Sequence, residues 1–181
     1  LRGRTGYIKV LEKSAEPDSK QLFSMTQEYE DKNGELAYHR IDRLYAEYAR
    51  GDFNLRFGRQ ALTWGSGKVF NPIDIMNPFA PTDVIRDYKN GSDMFAVQAY
   101  SALISDIQAA LVPRRNPDTQ ELMYSESSAA LKLKNTYGET DAEALFGMHY
   151  GEAFAGGGVS AFIGGAALRA DVMVADGQYR D

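Results

Sequence analysis

The chain has 181 residues, a net charge of −5 and no cysteine, with 11 Tyr, 9 Phe and 17 Gly. Its length allows one domain with a sizeable core. The acidic balance argues against a general nucleic-acid surface, and the absence of Cys excludes a disulfide framework or a thiolate metal site. No window approaches the ~18 apolar residues of a membrane helix.

Period-two alternation predicts ten strands, near 4–11, 21–30, 40–49, 53–62, 93–101, 106–113, 127–135, 142–150, 158–164 and 167–175. Most are about nine residues long, which is what a tilted strand needs to cross a hydrocarbon layer. The run RLYAEYARGDFNLRF, Arg43 to Phe57, holds Arg50-Gly51-Asp52, a tripeptide often read as an adhesion signal. Leu44, Ala46 and Tyr48 before it, and Phe53, Leu55 and Phe57 after it, each fill one strand face, so the tripeptide reads as a hairpin turn.

The later strands have clear apolar faces: Phe95, Val97 and Ala99; Ile107, Ala109 and Leu111; Ala129, Leu131 and Leu133; Ala144, Phe146 and Met148; Val159, Ala161 and Ile163; Leu168, Ala170, Val172 and Val174. Residues of the other parity are largely charged or polar. Arg43, Glu47, Arg56, Gln98, Lys132, Lys134, Glu143, Arg169 and Asp171 are the predicted pore-lining residues of a transmembrane reading. Five of the nine are cationic and three anionic, so a weak anion preference is expected.

The connections predict an up-and-down meander. One set (50–52, 102–105, 136–141, 164–166) is short, with 12–20 as its exception, and the other (31–39, 63–92, 114–126, 151–157) is longer. Short turns at one end and long loops at the other is the layout of outer-membrane barrels. In it, Arg50-Gly51-Asp52 is a turn on the periplasmic side.

Residues 58–81, GRQALTWGSGKVFNPIDIMNPFAP, are the least generic stretch, with the only Trp and two Asn-Pro pairs. A long connection this rigid is usually functional. With the hairpin before it, the segment resembles the bacterial outer-membrane porins that carry Gly-Arg-Gln, then Trp-Gly-x-Gly, then Asn-Pro-x-Asp. These are uncharacterised proteobacterial porin-type barrels, distantly like the alginate-export barrels. The matching residues are Gly58, Arg59, Gln60, Trp64, Gly65, Gly67, Asn71, Pro72, Asp74, Asn77 and Pro78. The resemblance implies a transmembrane barrel that passes solutes, with the 63–92 loop inside the lumen or on the extracellular side.

Other motifs carry less. Gly65-Ser66-Gly67-Lys68 has Leu62 and Val69 where a phosphate loop needs Gly and Ser or Thr. His39 and His149 share no metal-ligand spacing. The expected protein is therefore an all-β, antiparallel up-and-down transmembrane barrel, present as about ten strands of an incomplete barrel within a longer protein. It is expected to be a non-enzymatic outer-membrane channel for small hydrophilic solutes, with lipid as its partner and no cofactor. A soluble β-sandwich carbohydrate-binding module alternates in the same way and stands as the alternative.

Overall fold

The computed structural model describes residues 2–9, 18–30, 35–64 and 91–176. It is all β: β1 (Arg2–Lys9), β2 (Thr26–Glu30), β3 (Glu35–Arg50), β4 (Phe53–Gln60), β5 (Ser92–Ala99), β6 (Asp106–Val112), β7 (Ser128–Tyr137), β8 (Thr140–His149), β9 (Glu152–Ile163) and β10 (Ala166–Ala175). From β3 to β10 each strand pairs antiparallel with the next, in one sheet. The sheet is not closed among the described residues, and β1 and β10 are its two ends.

The start of the chain departs from a simple meander. β1 pairs with β3, not with β2. β2 pairs with the same stretch of β3, so the two strands take opposite edges of it. The cause is the length of β3. Its 16 residues outreach β4, which pairs only from Leu44 to Arg50, and the surplus half is free to take β1 and β2.

The Arg50-Gly51-Asp52 hairpin forms as expected, with Arg50 paired to Phe53 and Gly51 at a φ of 56°. Two-residue turns also join β7 to β8 and β9 to β10. At the other end, the 61–91 and 113–127 connections are long. The predicted long loop at 151–157 is instead a two-residue turn, Tyr150–Gly151, and β9 runs through the glycines from Glu152.

Register arranges the apolar side chains in complete rows. One reads Tyr48, Leu55, Val97, Ala109, Leu131, Phe146, Ala155, Val174 across β3 to β10. The row on one side of it reads Ala46, Phe57, Phe95, Leu111, Ala129, Met148, Ala153, and Phe57 stacks on Phe95 at 4.3 Å. The row on the other side reads Phe53, Ala99, Ile107, Leu133, Ala144, Gly157, Val172. All three lie on one face.

That face is the exposed one: Phe146 keeps 48% and Val172 66% of its surface. The buried side chains Met94, Ala110, Val112, Ala130, Leu145 and Phe154 belong to the opposite, polar face. A soluble sheet open on one side shows water its polar face and buries the apolar one. Here the arrangement is inverted.

Candidate functional site: the polar face

The nine predicted lining residues share the face opposite the apolar rows, as their register requires. They form a charged band. Arg56 Nε donates to Glu47 Oε1 at 3.0 Å, and Asn54 bonds the same carboxylate. Gln98 and Gln108 donate to the two oxygens of Asp106. Lys132 lies 3.4 Å from Glu143, and Lys134 2.8 Å from Asp141. Cross-strand opposite charges of this kind are the favourable pairs of a sheet face.

Asp106 and Asp141 are additions to the predicted set. They bring the carboxylates of the band to five, equal to its cations. The basis for an anion preference is thereby removed. The sequence signal is present, since both residues have the parity of their charged neighbours; Asp106 opens the expected 106–113 strand, whereas Asp141 falls in the expected 136–141 connection.

Near the 61–91 connection the same face changes character. Its row reads Arg56, Ala96, Ala110, Ala130, Gly147, Phe154, small in the middle. Trp64 packs in the buried cluster with Ala110 and Ala130, 1% exposed, and its indole N–H donates to Gln108 Oε1 at 2.7 Å. The chain leaving β4 therefore turns back over the polar face. Small residues beneath a large ring are what such packing requires.

Trp64 is the only tryptophan, so its emission reports this anchor directly. The expected spectrum is blue-shifted and poorly quenched by iodide, and Gln108→Ala should shift it to the red. Emission near that of free indole, with full quenching, would contradict the burial.

Beside this anchor a cleft of about 850 Å³ is lined by Arg43, Tyr45, Glu47, Arg56 and Gln60. Tyr45 faces Gly58 across the strands. Gly58 has a φ of 124°, and a Cβ there would fall 2.5 Å from the Leu44 carbonyl oxygen, so only glycine fits.

Of the predicted loop motif, Arg59 and Trp64 are seen; Gly65, Gly67, Asn71, Pro72 and Asp74 lie outside the described residues, as does most of the 63–92 loop. Arg59 is not part of the polar face. It has the parity of Phe57 and sits just beyond the apolar rows, wholly buried. Nε and Nη2 bind Asp93 at 2.9 and 3.1 Å, Nη1 binds Asp18 at 2.8 Å, and Nη2 also reaches the Phe23 carbonyl at 2.6 Å. This network holds segment 18–25 against the sheet, where Phe23 meets Phe57 edge-on at 5.9 Å.

Among the described residues, no three His, Asp or Glu side chains group to hold a metal ion. Fold and site together define an open antiparallel sheet with an exposed apolar face and a charged, partly buried one. No family model, no curated protein and no solved structure matches the chain.

Proposed function

We propose that this chain forms part of the wall of an outer-membrane β-barrel that passes small hydrophilic solutes. The observation that carries the reading is the set of three apolar rows, which run from β4 to β9, two of them on to β10, on the exposed face of the sheet. In water such a surface is a liability far larger than an ordinary exposed patch; against lipid it is what a spanning strand needs. Ladder pairing satisfies the backbone from β3 to β10, as a hydrocarbon environment demands. Tyr48, Phe53 and Tyr137, all exposed, stand near the short-turn end, where an aromatic girdle would lie.

The charged band then lines the aqueous side, and the chain around Trp64 narrows it. Balanced charge on that side favours weak selectivity between small ions. The test is to express the parent open reading frame and follow its fractionation, its gel mobility before and after heating, and its conductance in planar bilayers. Outer-membrane fractionation with a heat-dependent mobility shift and ohmic channels is expected. A protein that stays soluble and monodisperse without detergent would overturn the reading.

A further inference from the structure

We propose that the cavity on the polar face of β6 to β10 is a binding subsite for a small zwitterion of the amino-acid type; this rests on the channel reading above. The cavity has a volume of about 310 Å³ and is lined by Asp106, Lys132, Lys134, Asp141, Glu143 and Arg169, together with Gly158 and Ser160; Asp171 stands at its edge, against Gly158. Three of the lining charges are positive and three negative. With the signs balanced, the cavity as a whole favours neither a lone cation nor a lone anion, and a solute carrying both signs can set each end against its opposite.

Among the described residues, the register places an acidic pair with unbonded oxygens and a guanidinium without an ion pair on adjacent rows, with Lys134 of the first row already held by Asp141 of the second. Glu143, Gly158 and Asp171 form one row, and Asp141, Ser160 and Arg169 the next. Two residues along a strand separate the rows by about 6–7 Å, a distance that a small amino acid bridges with one charged end over each.

The glycine makes the cationic end specific. The place a Cβ would take on Gly158 lies 2.2 Å from Asp171 Oδ1 and 3.3 Å from Glu143 Oε1, so these oxygens are at most 5.5 Å apart. Neither has a hydrogen-bond partner. Two such acceptors left unmade in a partly buried place are unfavourable, and a small turn of either carboxylate offers both to one ammonium group with its three donors. A hard metal ion takes six or more oxygens, which these two do not supply. On the next row, Arg169 makes no ion pair among the described residues and is available, with the Ser160 hydroxyl, for the solute carboxylate.

The experiment is a saturation-transfer NMR titration of the full-length protein in detergent micelles with glycine, and separately with acetate and methylammonium. Glycine is expected to bind about tenfold more tightly than either half. Asp171→Asn should weaken glycine about tenfold, and so should Gly158→Ala, whose methyl displaces the Asp171 carboxylate without changing charge. Strand content by circular dichroism shows that each variant is folded; if Gly158→Ala is not, Asp171→Asn carries the test. Equal binding of glycine, acetate and methylammonium, or glycine binding indifferent to the folded variants, overturns the subsite. Glycine binding that behaves as expected in a protein giving no bilayer current upholds the subsite and removes the channel reading. Channels without glycine binding do the reverse.

Discussion

Arg59→Leu is expected to lower stability by about 3–5 kcal/mol and to release segment 18–25 to proteolysis. Arg59 is 0% exposed and carries four hydrogen bonds, to Asp93 twice, to Asp18 and to the Phe23 carbonyl. The leucine fills much of the volume yet leaves two buried carboxylates facing each other with their main counter-charge gone, and that uncompensated charge dominates the loss. Arg59→Lys keeps the charge but not the planar fork that serves Asp93 through two nitrogens, so it should fall between. The readouts are the temperature at which the heat-dependent gel shift occurs and the rate of tryptic cleavage at Lys20. Unchanged values for Arg59→Leu would show that the network contributes nothing net.

The same network gives a pH dependence. Burial alone would raise the Asp18 carboxyl; the hydrogen bonds from Thr26 and the Met25 amide and the guanidinium groups of Arg59 and Arg40 outweigh it and hold the carboxyl below its ordinary value of 3.8. A depressed carboxylate contributes stability that is fully present above its unfolded pKa and is lost as pH falls through the folded one. Cleavage of the native protein by an acid-active protease should therefore quicken at segment 18–25 below about pH 4.

How far the sequence reveals this molecule depends on what kind of signal each feature leaves. Period-two patterning is local, so the apolar rows from β4 to β8 and the common face of Arg56, Gln98, Lys132, Lys134 and Glu143 are legible directly. Glycine misleads. Gly156-Gly157-Gly158 reads as a loop because Gly is depleted in strands, yet in β9 the absent side chains let neighbours close in: a Cβ on Gly157 would lie 2.8 Å from the Glu143 carbonyl oxygen. Pairing between distant segments leaves no local mark at all. Nothing in the residues of β1 announces that it skips β2 for β3. Trp64 and Gln108 are 44 positions apart, and the packing between them depends on Ala110 and Ala130 being small, which in isolation looks like ordinary strand filler. Arg59 and Asp93 did carry a clue, as opposite charges on the apolar parity of two neighbouring strands. Their third partner, Asp18, comes from a segment with no periodicity to place it.

Placing one positive charge on each face of the sheet separates the two readings of this protein most sharply. Leu131→Arg sits in the middle apolar row, between Ala109 and Phe146. If that face meets lipid, an arginine near the bilayer midplane should cost about 2–4 kcal/mol and reduce the heat-shiftable, membrane-inserted fraction accordingly. Gln98→Arg introduces the same charge on the polar face, beside Asp106, which already accepts a hydrogen bond from Gln98. There the guanidinium stays in water and gains a carboxylate, so assembly should be unchanged. On a sheet surrounded by water the pattern would be different. Leu131→Arg would then fall within the roughly ±0.5 kcal/mol usual for surface substitutions and would improve solubility by interrupting an apolar row. Equal effects of the two substitutions, or a gain in solubility from Leu131→Arg, would mean that lipid is not what covers the exposed face, and the channel reading would fall with it.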